Sequence, residues 1–127
     1  MNLTVFIPYV PPGINKQYGY ARGHTYLTKE ARDWRTKAGL LIGSCAGQNN
    51  WRHNVKSYDL EVEWWGRKHD EDAHLKIIQD TLALKLGFND KIVKKASIVK
   101  LDKPPENYKI YGEGLVIKLL GSADEPS

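Results

Sequence analysis

The chain has 127 residues, 41% of them hydrophobic, and a mean hydropathy of −0.53. No apolar run approaches the roughly 20 residues needed to cross a bilayer, so a membrane-spanning helix is excluded and one core is expected. A net charge of +4 with an isoelectric point near 9.1 suits a polyanionic partner, and the single cysteine, Cys45, excludes an intrachain disulfide.

Asn2 to Pro8 reads as a first strand, with Leu3, Val5 and Ile7 alternating against Asn2, Thr4 and Phe6. Pro8, Pro11, Pro12 and Gly13 end it and open a loop that interleaves Lys16, Tyr18, Tyr20, Arg22 and His24. Such a loop can touch phosphates and stack on unpaired bases. It can equally be a polar surface loop whose tyrosines cover one end of the core. Thr28 caps a helix running from Lys29 to about Cys45, with Ala31, Trp34, Ala38, Leu41 and Ile42 on its apolar side. Arg32 and Arg35 then face solvent or a phosphate backbone, and Gly39 and Gly43 weaken the last turns.

Tyr58, Leu60, Val62 and Trp64 alternate with Asp59, Glu61 and Glu63, a strand with one wet face. It leads through Gly66-Arg67-Lys68-His69 to Asp70. From Asp72 the apolar Leu75, Ile78, Leu82 and Leu86 recur at helical spacing, while Asp72, Lys76 and Asp80 occupy a different stripe. Gly87 is a stop signal, and Phe88-Asn89 leads into Asp90 at the mouth of a strand from Ile92 to Leu101, lined by Lys94 and Lys95. The lone histidines His69 and His74 are expected at the solvent. After Pro104-Pro105 a last strand is expected from Tyr108 to Leu120, interrupted around Gly112-Glu113-Gly114. The small, polar stretch 121–127 reads as a disordered tail. The order predicts an α+β single domain over 1–120, a mixed β-sheet with about two packed helices.

Asp70, Asp72 and Asp90 offer the oxygen ligands that Mg²⁺ prefers, provided that packing brings Asp90 to the other two. Lys76 beside them would neutralise charge on a phosphate. The plainer alternative is a capped helix start and an ordinary Lys76–Asp80 surface pair. Charge is also segregated. Residues 1–50 hold six basic and two acidic side chains, whereas Asp59, Glu61, Glu63, Asp70, Glu71 and Asp72 crowd the centre.

These residues resemble the RusA-type Holliday junction resolvases, small endonucleases common in phages and prophages. The family pattern D-x-D-N-x-x-K-x-x-x-D is matched by Asp70, Asp72, Lys76 and Asp80, and Asn89-Asp90 stands where an acidic pair precedes a strand. Pro11-Pro12, Asn15, Tyr18, Tyr26-Leu27-Thr28, Glu30 and Arg35 are similar as well, so the likeness spans roughly residues 5 to 117. Two positions depart from it. Ala73 replaces the asparagine, with His74 next to the gap, and Asn89 replaces the first acid of the pair.

The resemblance implies a cytoplasmic, Mg²⁺-dependent homodimer (Mn²⁺ being an alternative ion) that cuts four-way DNA junctions by paired symmetric nicks. Asp70, Asp72 and Asp90 would hold the metal, Lys76 would be the essential basic residue, and Asp80 and Asn89 would support them. DNA contacts would fall on Asn15, Lys16, Tyr18, Arg22, His24, Arg32, Arg35, Lys94 and Lys95. Two other readings fit the same residues: a junction-binding module without catalysis, and a nuclease that also accepts flaps and forks.

Overall fold

The computed structural model of the chain describes residues 2–13, 17–66 and 72–122, the side chains of Asp72 and Ala73 aside. Alternation of apolar and polar residues dictates a sheet with one buried face. β1 (Leu3–Ile7), β4 (Tyr58–Trp65), β5 (Val93–Lys100) and β6 (Gly114–Gly121) form it in the order β1-β6-β4-β5. β6 runs antiparallel to both β1 and β4, whereas β4 and β5 are parallel. The register carries one apolar row across all four strands, Val5 to Ile117 to Val62 to Ile98. The sheet is therefore mixed, and the fold is α+β as the sequence predicts.

Two helices cover the apolar face. α1 (Lys29–Gln48) starts at Thr28, whose Oγ1 accepts the Ala31 N–H at 3.2 Å. It buries Ala31, Trp34, Ala38, Ile42 and Ala46, while Leu41 is half-buried. It runs three residues past the expected Cys45, through both suspect glycines. A Cβ at Gly43 would stand 2.7 Å from Cε of Lys85 on the second helix, the far end of a flexible side chain that can move aside. The Cys45 thiol donates to the Thr4 carbonyl oxygen at 3.2 Å. Burial pushes its pKa up and a hydrogen bond from Asn49 offsets part of that, which suits a structural thiol better than a nucleophile.

The second helix, α2 (Asp72–Leu86), is the crossover between parallel β4 and β5. Ile77, Ile78, Leu82 and Ala83 point into the core. His74, one turn before Ile77 and Ile78, goes with them. It is fully buried rather than exposed, its ring edge-on to Trp64 with centroids 4.6 Å apart. Lys100 Nζ lies 5.1 Å from the centroid of the same Trp64. Expectation fails here because helical periodicity, not polarity, sets which way His74 faces.

The other sheet face carries Phe6 stacked on Tyr108 at 4.1 Å, with Trp65 Nε1 donating to the Tyr111 carbonyl at 2.9 Å. Glu61, Glu63, Lys118 and Val99 line a shallow hollow beyond them, the predicted wet face. Part of the expected N-terminal loop is a hairpin, β2 (Tyr18–Ala21) with β3 (His24–Leu27). Its two-residue turn has Arg22 at φ 53° and Gly23 at φ 79°, the positive-φ pair of a type I′ hairpin. The last strand differs too. Glu106–Tyr108 is a 3-10 turn, and β6 is unbroken from Gly114 to Gly121. Gly121 pairs with Tyr58 and the Ser122 N–H donates to Ser57 O, so the expected tail begins later than 121; residues 123–127 lie outside the described ones. Among the described residues no helix is long and apolar enough to cross a membrane.

Tyr58, at the start of β4, bonds His53 Nδ1 through its hydroxyl at 2.8 Å. Burial raises its phenol from 10.0 to about 12, and a backbone hydrogen bond at Asn54 offsets part of the rise. The unfolded chain therefore loses this proton first. The stability that Tyr58 supplies is full below pH 10 and is lost as pH climbs from 10 toward about 12. Denaturant titrations across that window should show the decline, and Tyr58→Phe should flatten it. Equal slopes for the two proteins would assign the alkaline loss to other groups.

Candidate metal and nucleic-acid site

α2 sets the geometry. Asp72 is its first residue, and with fifteen residues at about 1.5 Å each the helix puts about 21 Å between the backbone of Asp72 and that of Leu86. The chain then leaves tightly. Gly87, at φ 80°, and Phe88 both donate their N–H to Ala83 O. Asn89 caps a 3-10 turn, Asp90–Ile92, its Oδ1 accepting the Lys91 N–H at 2.9 Å. Asp90 therefore stands at the C-terminal end of α2, exposed in a concavity of about 520 Å³ with Asp80, Leu84, Phe88 and Asn89.

The structure thus brings Asp80, Asn89 and Asp90 together and keeps Asp72 at the opposite end of the helix. Asp70 lies outside the described residues. α2 by itself does not bring Asp72 to Asp90, since its length holds its first residue about 21 Å from Leu86, and the side chain of Asp72 lies outside the described ones. Among the described residues no three His, Cys, Asp or Glu side chains gather into a metal-holding group. The donor chemistry suits Mg²⁺, but one chain's described set does not enclose an ion. Asn89 uses its side-chain oxygen to hold the turn of Asp90, a structural duty that the missing charge does not impair.

Lys76 Nζ lies 3.5 Å from Asp80 Oδ2, with both side chains open to solvent. As a surface i,i+4 pair it is worth a few tenths of a kcal/mol at about its best, so it holds neither residue firmly. Lys76 is free to turn toward an incoming phosphate at little cost.

The expected DNA-contacting residues fall on three surfaces. Tyr18, Arg22 and His24 belong to the hairpin, with Arg22 exposed at its tip and Tyr18 half-buried. Buried Gln17 fixes the hairpin's base, its Nε2 donating to Pro12 O at 2.7 Å while its own carbonyl accepts the Thr28 N–H. Lys94 and Lys95 are exposed on edge strand β5. Arg32 and Arg35 line a groove of about 530 Å³ between α1 and α2, opposite Lys85. Asn15 and Lys16 lie outside the described residues. Sequence reasoning passed over Lys85 and Leu84, although Leu84 carried a signal. It continues the stripe of Asp72, Lys76 and Asp80 four residues on, away from the buried one.

No protein-family model and no curated protein matches the chain. Among solved structures it is similar to the bifunctional IspDF of Campylobacter jejuni, at 9% identity and a TM-score of 0.37. The match covers 94% of this chain and 42% of that one, and a likeness so distant says nothing of what this chain does.

Asn89 makes a separable prediction. Asn89→Ala removes a cap and should cost about 1 kcal/mol, read as a lower denaturant midpoint. Asn89→Asp keeps the acceptor and should leave the midpoint close to that of the parent. A midpoint unchanged in Asn89→Ala would mean that the cap contributes nothing.

Proposed function

We propose that the chain is a RusA-type endodeoxyribonuclease, a cytoplasmic homodimer that cuts four-way DNA junctions by paired symmetric nicks with Mg²⁺ or Mn²⁺. The observation that carries this reading is the ordered set Asp70, Asp72, Lys76, Asp80 and Asn89-Asp90, borne on a helix that opens at Asp72 and closes into the turn of Asp90. Asp70, Asp72 and Asp90 supply carboxylate oxygens to the ion. The bound ion supplies positive charge against the phosphate and a more acidic water. Lys76 swings from its weak pairing with Asp80 to the scissile phosphate, and Asp80 supports the site as a neighbouring carboxylate. Asn89 fixes the backbone of Asp90. Arg22 and His24 at the hairpin, Lys94 and Lys95 on β5, and Arg32 and Arg35 beside α2 contact the phosphate backbone, with Tyr18 and the neighbouring Asn15 and Lys16 completing that surface.

The length of α2 is the reason for two copies. A metal that needs both Asp72 and Asp90 takes the first from one protomer and the partner's Asp90 from the other. A two-fold substrate then meets two such sites. The same separation supports a second reading, a module that binds junctions as a monomer and does not cut.

Mixing two inactive variants separates these readings. Asp72→Asn and Asp90→Asn should each lose Mg²⁺-dependent nicking of a four-way junction while still binding it in EDTA. Mixed and re-equilibrated, they form heterodimers with one intact site and one doubly broken site, so nicking of a single strand should return. If the parent cuts but the mixture does not, each site lies within one protomer. If the parent binds junctions and never cuts, the binding module is the correct reading. Parent rates on flaps and forks equal to those on four-way junctions would point to a broader nuclease.

A further inference from the structure

The pairing of β2 with β3 sorts the hairpin's side chains onto two faces. Tyr18 and Leu27 share one face, half-buried at the base, where Leu27 packs against the core. Gly19, Ala21, His24 and Tyr26 share the other. Gly19 is the cross-strand partner of Tyr26, and a Cβ added there would stand 2.7 Å from Cε2 of the Tyr26 ring. The ring therefore lies across bare backbone, in a seat that a Cβ at position 19 would fill. Glycine inside a strand marks such a close approach. Half of Tyr26 stays exposed, and Ala21 and His24 beside it are exposed too. Tyr20, next to the turn on the first face, is exposed at 74%. The sequence from Ile14 to Lys29 holds Lys16, Arg22 and Lys29 and no acid.

We propose that Tyr26, seated on Gly19, is a stacking platform for an unpaired base, which makes the hairpin a site for single-stranded DNA. The inference rests on the DNA-binding part of the reading above, and the carboxylates have no share in it. Duplex DNA is a poor match for this ring, because its bases stack on one another and offer only their edges in the grooves. A base outside the stack has a free face, and an exposed aromatic ring takes it whatever the base. The strand that carries the base is polyanionic, and exposed Arg22 at the tip is the cation placed to meet its phosphates. The platform is also preformed. Gln17 and the Thr28 N–H pin the base of the hairpin, and the Arg22-Gly23 turn fixes its tip. Little ordering is therefore left for the ligand to impose. Tyr20 offers a second ring on the other face to a neighbouring base. The consequence is a preference for branched DNA with an unpaired arm, gap or flap over a fully paired junction.

Fluorescence anisotropy of the full chain in EDTA tests the platform, with labelled oligo-dT and a blunt duplex of the same length as probes. Tyr26→Leu should weaken oligo-dT binding about fivefold or more and leave duplex binding unchanged. Tyr26→Phe keeps the ring and should bind oligo-dT like the parent. The salt dependence of oligo-dT affinity should keep its slope in Tyr26→Leu, which loses no phosphate contact, whereas Arg22→Ala should flatten it. Position 26 is half exposed, so folding should survive, checked by circular dichroism. An oligo-dT affinity that survives Tyr26→Leu, or a parent that does not bind oligo-dT, overturns the platform while leaving the nuclease reading to its own test. Equal weakening of oligo-dT and duplex overturns it as well, since the ring would then pack on sugars rather than bases. If Tyr26→Leu changes the sedimentation coefficient and not the DNA affinity, the face seats a second copy instead. A loss confined to oligo-dT, from a parent that never cuts junctions, keeps the platform and overturns the nuclease.

Discussion

Parallel strands cannot be joined by a tight turn, and that constraint governs this molecule. β4 and β5 lie side by side and point the same way, so the chain must travel back the length of the sheet between them. α2 is that return path. Whatever stands before it and whatever stands after it are held at opposite ends of a rigid rod, here Asp72 and the turn of Asp90. The buried side of the rod is fixed by Ile77, Ile78 and Leu82 against the sheet, and His74 with Trp64 anchors its first turn. Its free side is consequently fixed as well.

Packing divides the labour between the two sheet faces. The helical side is a continuous apolar layer in which Ile42, Leu82, Leu115 and Ile117 are sealed from water. Burial on this scale is the dominant favourable contribution to folding. Among the described residues the opposite side is closed at one end, where Phe6, Trp65, Tyr108 and Tyr111 meet. Hydrogen bonds tie the loops to this frame and to each other. Trp34 Nε1 donates to Tyr9 O, and the Val10 N–H donates to Glu113 Oε2 across 103 residues of sequence. The hairpin is therefore presented by anchored ends, with its turn projecting.

Much of this was legible beforehand because it follows from local rules. The cap at Thr28, the apolar sides of both helices and the alternation in β1 and β4 are properties of neighbouring residues. The turn at Gly87 belongs with them. The misses share one cause, which is that a partner distant in sequence decided the outcome. Gly43 reads as a weak point, yet α1 runs on through it to Gln48, its apolar side held by the sheet. His74 looked exposed because its neighbours are charged, while the helix turned it inward. The N-terminal loop hid a hairpin, since Arg22 gives no sign in composition that it will take a positive φ. The carboxylate set was readable as a list of residues but not as a place. Spacing along the chain does not say how far apart a crossover helix holds its two ends.

The position of β6 has a consequence for how the chain is made. It is the final strand of the described chain, yet it sits in the middle of the sheet, between β1 and β4, and contributes the sealed Leu115, Ile117 and Leu119. During synthesis β1 emerges first and must wait for more than a hundred further residues before its partner exists. Such long-range pairing is slow to form and leaves strand edges open meanwhile. The helices and the β4–β5 pair can assemble ahead of it, but the layer they pack on is incomplete until the ribosome has delivered Gly121. A chain stopped short of Gly114 would lose the centre of its sheet rather than its rim, so loss of the C-terminal part should unfold the whole molecule instead of trimming it.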